Sequence, residues 1–441
     1  MVTPPQDEPL GRNRDFRTLL ASQTVSVLGD GVSQVALPLL VLALTGSGVA
    51  MGIVGAVNSG ADFLLGSVAG AYADRGDRKL MMLVSDLGRA LFTALIPLSE
   101  LVHGPTMVVI VVTAAPLAIL RGFFRAGYLA SMPNLVGRSQ LARGNGILET
   151  AYSTAYIAGP ALAGFLVTVI GPGPTLAVDA ASFAISGVGL FLIGRELKAP
   201  ADRPPSRIVD DIRDGFLFVV RYPVLRTVIL LFATASAALT GAYAAMTFRI
   251  VRDLGQPPGA FGLALTGLGI GTLVGSVVAT RLGPQTNVAR VLVVTVVVEG
   301  ATLLGVALVP SLPVIVALMA VSGAAEAAFV VVYVSVRAAN SPDALVGRIA
   351  STARVIALGM MPPASLVAGV LIDTVGGTAT VGIMGALMVL LGVAFARVQA
   401  LSAASLAPHV AAEPAREPVL AGGEGTRGDD TTRSASTSRT T

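Results

Sequence analysis

The chain has 441 residues, of which 54% are hydrophobic and only 13% charged, with a mean hydropathy of +0.78 and a net charge of +4. A soluble domain carries about 25% charge, so this composition excludes a water-covered globular fold and points to a chain solvated by lipid. The absence of Cys excludes disulfides, thiolate metal sites and a cysteine nucleophile, and the basic balance fits loop anchors at an anionic leaflet better than a nucleic-acid partner.

Residues 1–17 are polar and read as a cytoplasmic N-terminal segment, not as a signal peptide. A membrane-spanning helix needs roughly 20 apolar residues. Such runs are predicted at 18–44, 49–73, 80–102, 106–131, 145–170 and 174–194. These make an N-terminal six-helix bundle over 18–194. A polar stretch over 195–225 follows. Within it Ile208, Ile212, Phe216 and Val219 recur at helical spacing between Asp210, Asp211, Arg213 and Asp214, the pattern of an amphipathic helix at a membrane surface. Six more spans are predicted at 226–249, 258–282, 288–309, 313–337, 347–372 and 377–398, giving a C-terminal bundle over 226–398. The tail, 399–441, has no periodicity and reads as a disordered cytoplasmic segment. The expected fold class is an all-α membrane protein of twelve transmembrane helices in two six-helix bundles.

Arginines and lysines fix the expected orientation. Arg12, Arg14 and Arg17 precede the first span, and Arg75, Arg78 and Lys79 follow the second. Arg138 and Arg143, the linker, Arg281 and Arg290, then Arg337 and Arg348 continue on the same side. The opposite loops carry few basic residues beyond Arg249 and Arg252. Both termini are therefore expected in the cytoplasm, across the inner (plasma) membrane.

The halves repeat. Leu64 to Val68 resembles Leu273 to Val277, Leu135 to Arg138 resembles Leu345 to Arg348, and Ala163 to Leu166 resembles Ala368 to Leu371. Three matches in one order imply a duplicated six-helix unit with a cleft between two moving bundles.

The loop after the second span reads Gly70, Ala71, Tyr72, Ala73, Asp74, Arg75, Gly76, Asp77, Arg78, Lys79, and Asp86 and Arg89 follow in the third. Asp74 closes a helix at the membrane surface, and Arg75 and Arg78 can bridge neighbouring helix ends, a latch able to hold one gate state. In the fifth span Pro160 can bend the helix, while Gly159 and Gly164 permit close packing, expected against Gly267, Gly271 and Gly275 of the eighth.

The loop resembles the signature of the major facilitator superfamily, with its glycine one residue earlier than usual. Together with Asp86 to Ala90, Ser26 to Asp30, Met132 to Leu135 and Asp214 to Phe216, it looks like the branch of enterobactin exporters and macrolide-efflux proteins. The resemblance covers about 10–400. The fifth-span word from Ala155 to Gly164 is similar to the antiporter motif of export branches, with Ala at two of its Gly positions. In this superfamily the second helix approaches the eleventh and the fifth approaches the eighth. With the repeat aligning Glu149 on Arg354, that implies charge-swapped latches, Asp74 near Arg354 and Glu149 near Arg281. Arg121 resembles a fourth-helix arginine linked to proton coupling, and Arg125 lies one turn further along.

Each ionisable group at mid-membrane costs roughly 2.5–3.5 kcal/mol and therefore calls for a function or a partner. Asp30, Asp62, Glu299 and Glu326 are such groups. A carboxylate in low dielectric holds its proton more tightly and can exchange it during a cycle; a fixed interhelical ion pair, such as Asp62 with an arginine, is the alternative. Glu149, Tyr152 and Tyr156 form one helical stripe, and Glu326, Phe329 and Tyr333 another; Gln23, Asp30 and Gln34 line the first span, and Asn58 and Asp62 the second. Acidic groups beside aromatics suit an amphiphilic, cationic substrate.

No enzyme constellation, cofactor site or metal cluster is expected. The histidines are His103, in a turn, and His409, in the tail, and there is no phosphate-binding Gly-Lys-Ser loop. The expected function is proton-driven efflux of a small amphiphilic compound such as a drug, siderophore or secondary metabolite. Uptake or facilitated diffusion by the same fold and a non-transporting sensor or scaffold are the alternatives. The expected partners are the small-molecule substrate, protons and the lipid bilayer, with no nucleic acid, and the chain is expected to be a monomer.

Overall fold

Long apolar stretches close their own backbone hydrogen bonds by coiling, and helices are the only secondary structure among the described residues. The computed structural model describes residues 9–74, 76–104, 106–137, 139–197, 208–282, 286–342 and 345–402. Arg75, Arg138, the 198–207 part of the polar stretch and the tail beyond 402 lie outside them.

The helices are α1 (Arg14–Thr45), α2 (Gly48–Ala73), α3 (Arg78–Leu101), α4 (Thr106–Val136), α5 (Leu141–Ile170), α6 (Pro172–Leu192), α7 (Ile208–Arg221), α8 (Pro223–Thr247), α9 (Gly259–Ala279), α10 (Val288–Leu308) and α11 (Leu312–Ala339). The stretch Val346–Ala396 turns over at Gly376, whose φ of 87° only glycine adopts readily, and so comprises α12 (346–375) and α13 (377–396). A short α14 (Gln399–Ser402) ends the described chain. Asn13, Ser47, Asp77 and Asn287 cap the starts of α1, α2, α3 and α10, each side chain accepting a backbone N–H of the first turn. α8 runs on into a π-helical turn, Phe248–Asp253, past the predicted end at 249. The buried Arg249 guanidinium holds that turn by donating to the carbonyls of Val306 and Val309 and to Thr378 Oγ1. α4 and α5 also outrun their predicted ends, at 131 and 145, by several residues.

α1 to α6 pack on one another, with α1 against α5 and α6, and α3 against α4 and α6. α8 to α13 do the same through α8 with α12 and α13, α9 with α11, and α10 with α11 and α12–α13. These are the two six-helix bundles. Leu98, Val112, Phe165, Val188 and Leu308 stand exposed on the outer surface, as lipid-facing side chains do. The amphipathic α7 lies against α8 and α12, with Gly215 against the Arg348 carbonyl.

The bundles meet along two seams, α2 with α12 and α5 with α9. Glycines make the approach possible. A Cβ on Gly48 would sit 2.6 Å from the Gly369 carbonyl oxygen, and one on Gly52 at 2.6 Å from that of Ser365. A Cβ on Gly164 would sit 2.7 Å from the Gly259 carbonyl oxygen, and one on Gly262 at 2.4 Å from that of Pro160. Gly164 and Gly369 are the repeat-related residues, and each meets the first residue of a helix, Gly259 or Gly48. One duplicated contact thus builds both seams. Both occupy the halves of the helices away from the arginine-rich end.

This corrects the expected packing of the fifth span. Gly267, Gly271 and Gly275 face Val316, Ala320 and Ala324 of α11, and Gly159 faces Gly31 of α1. Gly267, Gly271 and Gly275 recur every four residues and line one face of α9. A second face, through Gly259 and Gly262, meets α5.

Candidate functional site

Three polar groups sit among the apolar helices. The first lies within the N-terminal bundle. Arg89 of α3 is buried, its guanidinium stacked over Phe183 at 4.0 Å and near Phe124 at 4.9 Å. It donates to Asp86 at 2.5 Å and pairs with Asp30 of α1 at 3.5 Å. Asp30 is 43% exposed and carries this cluster to the cleft. Asp179 of α6, which the sequence reading missed, accepts from Ser33 and Ser182 and interacts electrostatically with Asp30 and Arg89. It was findable by the rule that found Asp30, because it is a lone carboxylate in an apolar span. Gln23 donates to Ser186 beside the same cluster. Asp86 and Arg89 were expected with the loop latch. They belong instead to this interior cluster, because helical spacing turns them away from the loop and under α6.

The second group lies in the N-terminal bundle, where α2 and α4 face Arg354 of α12. Arg121 of α4 donates to Asn58 and, at 3.2 Å, to Asp62 of α2. Arg354 of α12 interacts electrostatically with both Asp62 and Arg125. Asp62 is thus in the interhelical ion pair weighed as its alternative role.

The third lies in the C-terminal bundle. The Tyr243 hydroxyl of α8 donates to Glu326 of α11 at 2.9 Å. Glu299 of α10 is fully buried beside them, with neither carboxylate oxygen hydrogen-bonded. Across the cleft, the Tyr156 hydroxyl of α5 accepts from Gln34 at 3.5 Å and interacts electrostatically with Glu326 and Tyr243. Tyr152, one turn along α5, is 52% exposed, next to Glu149 and Arg125. Phe329 and Tyr333 do not continue the Glu326 stripe into the cleft. They stack on Phe232 of α8, at ring-centroid distances of 6.1 and 4.1 Å, as core packing.

At the arginine-rich end, the basic residues of the loop brace the N-terminal bundle. Arg78 donates to the carbonyls of Ala73 and Ala130 and to Asn134. Lys79 donates to the carbonyls of Phe191 and Ile193 at the end of α6. Asp74 sits at the C-terminus of α2. Neither Asp74 with Arg354 nor Glu149 with Arg281 is among the ion pairs of the described residues. A Cβ on Gly70 or Gly146 would meet no described atom within 4 Å. Neither glycine makes the close approach seen in the two seams, which lie at the other end.

Asp373, which the sequence did not flag, and Arg252, named there only for its charge, complete the closure of that end. Asp373, at the end of α12, accepts from Ser47 Oγ at 2.7 Å and from the backbone N–H groups of Gly48 and Val49, capping α2 from the other bundle. Arg252 donates to the Gly46 carbonyl at 2.8 Å.

Two six-helix bundles related by a repeat, shut together at one end around polar intramembrane groups, define a transporter of the major facilitator superfamily. Residues 8–423 match the family described as transmembrane secretion effectors, and the chain belongs to that family. It is 29% identical over 377 residues to the multidrug efflux pump Tap of Mycolicibacterium fortuitum, covering 83% of this chain and 91% of Tap. It is 23% identical over 288 residues to the enterobactin exporter EntS of Salmonella choleraesuis, covering 64% of this chain and 67% of EntS. Its fold is that of a bacterial homologue of the lysosomal transporter Spinster, with a TM-score of 0.67 at 14% identity, covering 90% of this chain and 98% of that one.

Proposed function

We propose that this transporter exports a small amphiphilic compound, with cationic compounds favoured, by exchanging it for protons through alternating access. The arginine-rich end is read as cytoplasmic, because basic residues are retained on that side of a membrane; both termini then lie in the cytoplasm. The observation that carries the proposal is the pair of glycine seams joining the bundles at the outer end, with polar and aromatic groups inward of them, read as a cleft that opens inward. A pump that collects its substrate from the cytoplasm needs this state. Asp30, Glu326, Tyr152 and Tyr156 supply negative and aromatic contacts for an amphiphilic cation. The kinship with Tap and EntS supports the outward direction.

In the other half of the cycle the inner end closes. Asp74 with Arg354, and Glu149 with Arg281, are the pairs that would latch it, and Gly164 and Pro160 lie at the seam that must open. Protons entering down their gradient drive the return; the membrane potential alone gives about 2.3 kcal/mol per charge per 100 mV. The test is a compound panel, including ethidium, in a drug-sensitive bacterial host. Cells carrying the protein should accumulate less dye than cells with an empty vector, and a protonophore should erase the difference. Equal accumulation of every compound with and without the protein would overturn the export reading.

A further inference from the structure

Among the intramembrane carboxylates, some have a cation or hydroxyl partner and some have neither a cation nor a full set of hydrogen bonds. Asp62 has the guanidinium of Arg121, and Asp30 and Asp86 share that of Arg89. Asp179 has two serine hydroxyls and the same arginine nearby. Glu299 and Glu326 differ. Neither is in ion-pair reach of an Arg or Lys among the described residues. Glu326 has one hydrogen bond, from Tyr243, and Glu299 has none at either oxygen.

The titratable groups around them are few. α8 contributes Tyr243 and α5 contributes Tyr156; α10 and α11 contribute the two glutamates themselves. α9 carries no ionisable residue, and at the crossing of Gly300 with α13 the neighbours are Gly385 and Val389. Two carboxylates with no cation cannot both ionise in such surroundings, since each charge disfavours the other and burial disfavours both.

We infer that Glu299 and Glu326 form a proton-binding pair in the C-terminal bundle and that this pair carries the coupling proton, with Tyr243 linking it to the central cleft. The inference deepens the proton-exchange reading and rests on it. Glu299 is the inner member and holds its proton. Glu326 is half-buried and next to the cleft, and it exchanges: a proton leaving its carboxyl passes to cleft water, and the Tyr243 hydroxyl stays to hydrogen-bond the carboxylate formed. Tyr156 faces the same two groups from the N-terminal bundle. A change in charge on Glu326 is therefore felt where the bundles must separate.

The test needs no substrate. The purified full-length protein in lipid nanodiscs is titrated with pH and followed by infrared difference spectroscopy in the protonated-carboxyl C=O region. The expected result is a titrating band in the wild type that is lost in both Glu299→Gln and Glu326→Gln and returns, shifted, in Glu299→Asp. Persistence of the band in both Gln variants would overturn the inference, and thermal unfolding of each variant separates misfolding from loss of a carboxyl. The parent reading fails by a different result: an imposed pH gradient that drives no ethidium movement in wild-type proteoliposomes whose carboxyl band is intact.

Discussion

Removing the Asp373 carboxylate should let the outer end open more often. Asp373 belongs to the C-terminal bundle, yet it adds to the cap that Ser47 gives α2 in the N-terminal one, accepting from Ser47 Oγ and from the N–H groups of Gly48 and Val49, which Ser47 leaves open. These bonds exist only while the outer end is shut. A side-chain cap at a helix N-terminus is worth about 1 kcal/mol, and a carboxylate at the positive end of the helix dipole adds roughly 0.3–1 kcal/mol at an exposed site. The Asp373→Ala variant should therefore favour outer opening by about 1–2 kcal/mol, a five- to thirtyfold change in population. The chain has no cysteine, so a single introduced thiol is the only one present. Ser365 is 4% exposed and faces Gly52 and Gly55 inside the α2–α12 seam. In nanodiscs, maleimide labelling of Ser365→Cys should accelerate by that factor when Asp373→Ala is added. Asp373→Asn, which keeps an acceptor but not the charge, should give a smaller increase. Asp253→Ala removes a contact to Thr378 inside one bundle and should leave the rate unchanged. A labelling rate indifferent to Asp373→Ala would refute the idea that this cap holds the outer end shut.

Other consequences follow from the same contacts. Gly164→Leu puts a side chain into the Gly259 carbonyl, and overpacking by about 1–3 kcal/mol should cut dye efflux at least fivefold while leaving membrane expression intact. Arg89→Ala strands Asp86 in the bundle interior, and losing one partner of a buried pair costs about 3–5 kcal/mol; thermal unfolding in detergent should show a large drop in Tm. Arg121→Ala frees Asp62 at a half-exposed site, where solvent screens the pair; Tm should move little, within the 0–1 kcal/mol of an exposed pair. If the two arginine variants lose equal stability, burial does not govern these pairs.

Much of this was legible in the residues. The spans, the amphipathic helix at Ile208–Arg221 and the break between the last two spans follow from apolar length and helical period. The repeat pointed to the seams, since Gly164 and Gly369 occupy matching words. What stayed hidden depends on direction and on backbone partners. Phe329 and Tyr333 share a stripe with Glu326, but a stripe does not say where the core ends, and both rings found Phe232. Asp373 and Arg252 bind backbone groups of a distant turn, which no side-chain pattern advertises. The pairs Asp74 with Arg354 and Glu149 with Arg281 are not among the ion pairs of the described residues, and their proposed place is a closed inner end.

Alternation between two openings can be measured with two pairs of spin labels in nanodiscs. One pair replaces Arg143 and Thr280 at the arginine-rich ends of α5 and α9, and the other replaces Val169 and Leu263 at their far ends. Acidification should shift the two distance distributions in opposite senses, the inner pair closing as the outer pair parts, and Glu299→Gln should abolish the shift. Distributions that stay fixed at every pH, or that widen together, would contradict a proton-driven exchange between inward and outward openings.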